Sequence, residues 1–229
     1  MATSGLTPSF ELFTKSKNLV LANLNTFGIL LLLPFLLGLF GNIRSRNMNG
    51  FERFSSASPN FGLSPAVIGG GALLGLLLLI LSVIANLMVY ILNLQSAKNK
   101  KPDLKELWAA VQKYGVRLFA LSVVLALVIF AGIIAFIVPG LIFIRRYYLA
   151  PYVMLDQDLS ISESMRESAR ISKPHSGSVW GILGVTIVLS LPSIIPVVGW
   201  ALSFVLTSLY LVAPALRYLE LKKLVPVEK

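Results

Sequence analysis

Residues 137–173 read IVPGLIFIRRYYLAPYVMLDQDLSISESMRESARISK, and this stretch decides what kind of chain surrounds it. Val138-Pro139-Gly140 ends one apolar run, and residues 141–155 form a second, short one. Asp156 and Asp158 return the chain to water, where neighbouring loop carboxylates ordinarily terminate a span and stay solvated. Ser160-Ile161-Ser162-Glu163 has the spacing of a capping box, in which the hydroxyl takes an orphan amide of the first turn and the carboxylate reaches back. A helix is predicted to start there.

Composition extends the same reading to the whole chain. With 229 residues, 56% hydrophobic and 13% charged, and a mean hydropathy of +0.80, the sequence is too apolar for a soluble domain and holds several runs of bilayer length. It predicts an all-α, polytopic integral membrane protein. There is no cysteine and a single His175, so disulfides and thiolate or multi-histidine metal sites are excluded, and no metal or cofactor is expected. The net charge of +10 comes from residues that flank apolar runs rather than forming a stripe, which argues for topology and against nucleic acid.

Taken in order, residues 1–18 lack the layout of a signal peptide and are expected to be retained. Thr7-Pro8 has the N-cap and first-turn pattern of a helix start, and Phe10, Leu12 and Phe13 beside Lys15 and Lys17 suit a short interfacial helix. A first span is expected over residues 19–40, a loop over 41–64, and a second span over 66–94. Gly69, Gly70, Gly71 and Gly75 mark either a packing face or a loosely wound start. Asn86 and Asn93 are the strongest polar groups of that span, suited to interhelical hydrogen bonds or to binding a solute. Leu104, Leu107, Trp108, Val111 and Tyr114 recur at helical spacing, predicting a second interfacial helix. Residues 118–138 make a third span, and 141–155 a short, tilted or partly re-entrant fourth. Residues 179–198, broken by Pro192 and Pro196, make a fifth, and 201–219 a sixth.

An internal repeat supports this count. Leu104, Glu106, Lys113 and Pro139 recur 57 positions later as Ile161, Glu163, Arg170 and Pro196, and Tyr148-Leu149-Ala150-Pro151 is echoed by Leu211-Val212-Ala213-Pro214. The units are a diverged first hairpin at 1–95, a second at 103–155 and a third at 160–219, followed by a tail at 220–229, all in one membrane domain. Of the 20 Lys and Arg, only Arg44, Arg46 and Arg53 fall outside when both termini are cytoplasmic, and Arg145 and Arg146 fall within the fourth segment. The positive-inside rule therefore favours six segments over five.

Catalysis needs acids, bases or nucleophiles held together, and no Asp, Glu, Lys or His lies within the predicted spans, so an enzyme is not expected. Glu163, Arg166, Glu167 and Arg170 have the spacing of helix ion pairs. Arg145 and Arg146 stand out, because a charged side chain at mid-bilayer costs at least about 2.5 kcal/mol and is normally paired, snorkelling or beside water. With Tyr148 they are candidate contacts for a lipid headgroup or phosphate. Pro139, Gly140 and Pro196 are the expected helix breaks. A continuous polar cavity lined by Asn86, Asn93 and Arg145 would point to transport; a closed bundle would not.

The order apolar run, Pro139-Gly140, Arg145, Ala150-Pro151, Asp156, then a helix with Glu163 and Ser168 ending at Lys173 and an apolar segment opening at Trp180, resembles the YciC-like proteins and the membrane domains of some glycerophosphodiester phosphodiesterases. The resemblance covers residues 103–219. Met165 departs from it, where a small residue is expected, as does Pro174-His175, where a glycine commonly follows the lysine. It implies a multi-helix domain in a prokaryotic plasma membrane and no established activity. No counterpart of the soluble phosphodiesterase domain of some relatives is expected. The expected function is a non-enzymatic module that binds or organises lipid or assists a membrane-protein partner or a second copy of itself. The alternative is an uncoupled transporter, channel, flippase or scramblase.

Overall fold

The computed structural model describes residues 6–32, 34–36, 38, 65–101, 103–195 and 198–225. Every regular element among them is helical. In chain order these are α1 (Glu11–Ala22), α2 (helical over 24–32), α3 (Pro65–Ala97), α4 (Leu104–Ala135) and α5 (Ile137–Tyr147). They continue as α6 (Ala150–Gln157), α7 (Ile161–Ser172), α8 (Ser176–Ser190), a 3-10 turn at Leu191–Ile194, α9 (Val198–Leu209) and α10 (Ala213–Leu224). Four stretches are long and apolar enough to cross a membrane: Ile80–Ala97, Leu104–Ala135, Ser176–Ile194 and Val198–Leu224.

The expected second span matches α3, but other boundaries move. The interfacial helix and third span predicted around Leu104 to Val138 are one helix, α4, of 32 residues and about 48 Å. Its buried residues Leu107, Val111, Gly115, Leu118 and Leu121 form one uninterrupted face, so nothing in the packing breaks it where polar sequence gives way to apolar. Asp103 caps its start, accepting from the Lys105 amide at 3.5 Å. The break after it falls at Phe136, which is extended (φ −163°, ψ 145°), and not at Pro139-Gly140. Pro139 lies in the first turn of α5, where its missing N–H leaves no hydrogen bond unmade. Gly140 permits close approach: a Cβ there would lie 2.9 Å from the Ile133 nitrogen and 3.0 Å from its Cα.

The fourth segment is therefore two short helices, α5 and α6, joined at Tyr148 and Leu149, and neither alone has the length of a span. The sixth is likewise divided, into α9 and α10. Pro192 sits inside the 3-10 turn, whereas Pro196 lies outside the described residues, as do the 41–64 loop and the side-chain packing of Gly69, Gly70, Gly71 and Gly75. At the N-terminus, α1 begins at Glu11 rather than at Thr7-Pro8. Thr7 instead accepts from Lys15 Nζ through its hydroxyl (2.9 Å) and from Arg217 through its carbonyl (2.7 Å).

Burial is concentrated at one end of the bundle. There α6 is buried from Ala150 to Met154, and Tyr218 and Leu221 of α10, Leu107 and Leu118 of α4 and Ile171 of α7 close around it. Toward the other end of α4, Leu127, Phe130 and Ile134 are exposed, as are Ile187, Val188, Ile194 and Val198. The Phe35 ring, three residues past the end of α2, lies 5.2 Å from those of Trp200 and Phe204 on α9.

Two buried serines answer the bends. Ser168 of α7 donates to the Arg146 carbonyl (2.7 Å) just before the α5–α6 bend. Ser16 of α1 donates to the Leu209 carbonyl (2.7 Å) and accepts from the Val212 amide (3.2 Å), spanning the α9–α10 bend. Backbone groups freed by a bend in an apolar setting need such partners. Ser16→Ala strands both a carbonyl and an amide, so it is expected to cost on the order of 1–3 kcal/mol. Exposed Ser162→Ala should stay within about 0.5 kcal/mol of wild type. Thermal unfolding of the two variants in detergent compares them, and equal midpoints would refute the capping role.

Candidate functional site

Arg145 and Arg146 belong to the last turn of α5. Gly132 meets Phe143, and Gly140 meets Ile133, so α5 folds back antiparallel along the end of α4. The two arginines thereby lie roughly two and a half to three helical turns from the Phe136 bend, beside the middle of the apolar half of α4. Both are half-buried, and the Nε atom of each is buried with no hydrogen-bond partner. Neither forms an ion pair among the described residues. A guanidinium so placed retains unused donors in the planar fork that matches phosphate and carboxylate.

A second feature lies on a different face of the same helix. Ile144, Tyr147 and Tyr148, followed by Pro151 and Tyr152 of α6, line a cavity of about 350 Å³. Asn86, Tyr90 and Asn93 of α3 close one side, and Thr186, Thr207 and Tyr210 close another. The structure thus brings together Asn86, Asn93 and Tyr148 from the expected set, but Arg145 does not line the cavity. Pro139 and Gly140 lie away from it and serve the α4–α5 turn. The wall is largely apolar, and none of the described lining residues is Asp, Glu, Lys, Arg or His.

Asn86 is exposed, and its amide donates to the Ser82 carbonyl at 2.8 Å. Asn93 is only 3% exposed, and its Oδ1 has no partner. The Tyr90 and Tyr152 rings meet edge to face at 5.8 Å, and the Tyr210 hydroxyl donates to the Ser9 carbonyl at 3.2 Å. Sequence reasoning passed over these tyrosines. Tyr152 directly follows Ala150-Pro151 and Tyr210 directly precedes Leu211-Val212-Ala213-Pro214, so both flank the echoed segments without belonging to the echo.

The buried end of the bundle corrects another expectation. Asp156 does not simply face water: its side chain is 6% exposed and is bound by Lys98 from the end of α3, by Lys222 at 2.5 Å and by the Tyr218 hydroxyl at 2.7 Å. Gln157 donates to the same tyrosine hydroxyl (3.2 Å). Asp158, half-exposed and in the left-handed region (φ 51°), pairs instead with Arg117 at 3.0 Å and Lys113 at 3.5 Å of α4. The two aspartates serve different partners and do not form an acid/base pair. The capping box is present as expected, Ser160 accepting from the Glu163 amide at 3.4 Å while Glu163 accepts from the Ser160 amide at 3.0 Å. On the same helix Glu167 and Arg170 form the expected i,i+3 pair at 2.7 Å.

Burial disfavours the charged form of Asp156, but hydrogen bonds from Lys222, Lys98 and Tyr218 outweigh it and hold the carboxyl down at about 2. A carboxyl depressed from an unfolded value near 3.9 contributes stability that is complete above that value and lost as pH falls toward 2, on the order of 2 kcal/mol. The stability difference between wild type and Asp156→Asn should therefore be constant above pH 5 and shrink between about pH 4 and pH 2. Unfolding curves across that window test it; a pH-independent difference would show that the carboxylate is not clamped.

Comparison of the chain with family models, curated proteins and solved structures returns no match.

Proposed function

We propose that this chain is a non-enzymatic integral membrane module that binds or organises lipid in a prokaryotic plasma membrane, with six membrane segments and both termini cytoplasmic. The observation that carries the reading is the placement of Arg145 and Arg146, half-buried beside exposed apolar helix surface, with buried Nε atoms that lack partners. An anionic lipid phosphate would supply what the described residues do not. Supporting the three-unit repeat, both internal bends are followed by an Ala-Pro pair in the first turn of the next helix, and each bend has a buried serine from another unit's short helix against it. The cationic ends of α3, α4 and α10 support the cytoplasmic assignment of the packed end.

A second reading, lipid translocation, is favoured by one feature. Arginines placed midway along the apolar half of α4 sit deeper than headgroups ordinarily lie, which suits a path for a headgroup as well as a docking point. Transport coupled to protons is disfavoured, because among the described residues no carboxylate joins the arginines or the cavity.

Topology is checked by single cysteines, since the chain has none of its own. A cysteine replacing Ser56 should label from outside, and one replacing the exposed Ser162 only after permeabilisation. External labelling of both would refute six segments. Lipid binding is checked by native mass spectrometry of co-purified phospholipid. Replacing Arg145 and Arg146 by Lys should reduce retention, because an ammonium cannot bind phosphate in a bidentate fork, and replacing both by Leu should abolish it. Equal occupancy in wild type and both variants would remove this reading, while loss of scrambling in liposomes with lipid retention intact would favour translocation.

A further inference from the structure

The tyrosine-lined cavity calls for an occupant on two independent grounds. Its volume of about 350 Å³ far exceeds the roughly 10–15 Å³ that a single water needs, and its wall is mostly hydrocarbon and aromatic ring. A chain of methylene groups fits such a space better than clustered water, which needs two to four polar partners per molecule. The second ground is Asn93, whose Oδ1 is buried at the cavity wall with no partner. An acceptor left in that condition carries its full desolvation penalty until a donor reaches it.

We propose that the cavity binds the single aliphatic chain of a neutral, hydroxyl-bearing lipid of the monoacylglycerol type, with the lipid hydroxyl donating to Asn93 Oδ1. Neutrality follows from the wall, which offers no cation to balance an ionised headgroup among its described residues. A carboxylate has no proton to give to Asn93 Oδ1 and would set two acceptors against each other. The site is separate from the arginine pair, since neither Arg145 nor Arg146 lines it, so it stands whether or not those residues hold phosphate.

The test uses the purified full chain in detergent, with a monoacylglycerol, the fatty acid of equal chain length at pH 8, and the equal-length alkane as probes. Monoacylglycerol should raise the thermal midpoint, and the ionised fatty acid and the alkane should each bind about tenfold more weakly, the scale of one lost buried hydrogen bond to a neutral group. Asn93→Leu should erase the preference over alkane, while the double Lys variant of Arg145 and Arg146 should leave monoacylglycerol affinity unchanged. A monoacylglycerol with a photoreactive tail provides a readout on the wild-type chain that needs no variant, and it should crosslink to peptides carrying Tyr90, Ile144 or Thr207. Equal binding of the fatty acid, no binding of any probe, or crosslinks confined to the outer apolar surface would overturn the assignment. Loss of phospholipid in the arginine variants with this preference intact would bear on the phosphate site alone.

Discussion

A helix that bends within apolar surroundings frees amides and carbonyls that must find partners nearby, and this requirement organises the molecule. At the bends after Tyr147 and Leu209 the next helix opens with Ala-Pro, and proline removes one orphan donor outright. Ser168 takes the Arg146 carbonyl, and Ser16 takes the Leu209 carbonyl and the Val212 amide. Those hydroxyls reach only if α7 lies against α5 and α1 lies against the α9–α10 bend. The short helices that read as surface amphipathic segments are thereby locked to the interior, and their buried faces include Ser164 and Ser172 on α7 and Leu12 and Val20 on α1.

Fixing the short helices brings charge inward at the packed end. Arg217 is 1% exposed, bound to Glu220 at 2.8 Å and to the Thr7 carbonyl at 2.7 Å, so that α10 and the N-terminal segment share one cation. Asp156 gathers donors from two other elements. Such buried charges add little net stability over well-packed apolar groups, yet removing one partner leaves an expensive unpaired ion. Their effect is to hold the ends of α3, α6 and α10 in register, which positions the Tyr152 and Asn93 wall of the cavity.

What the sequence made legible was local. The Ser160–Glu163 box and the extent of α3 rest on spacing and apolar length, and both are seen. What it hid depended on distant partners or on tolerance. Asp156 looked solvated because Lys98 and Lys222 lie 58 and 66 residues away, and Arg217 looked like one more flanking cation. Pro139 looked like a break because proline usually is one, although a first helical turn accommodates it and Phe136 makes the bend. Likewise Gly115 gave no hint that α4 continues, since one glycine neither stops a helix nor marks its continuation. The cavity was half visible: Asn86 and Asn93 drew attention as amides in apolar sequence, while Tyr90, Tyr152 and Tyr210 carried no signal of their own.

The geometry of α5 then separates two chemistries that the sequence places side by side. Ile144, Tyr147 and Tyr148 stand at i, i+3 and i+4, one helical face, and meet the cavity. Arg145 and Arg146 fall about 100° and 200° around from Ile144, off that face and clear of the cavity wall. One helix of 11 residues therefore presents a neutral, hydroxyl-rich surface inward and two guanidinium groups elsewhere. On the reading proposed above, the first surface would select an uncharged ligand and the second an anionic one. Because the two sets share a backbone and not a side chain, occupancy of one can influence the other only by moving α5 itself, and that helix is held at one end by the Gly140 contact with Ile133 and at the other by Ser168.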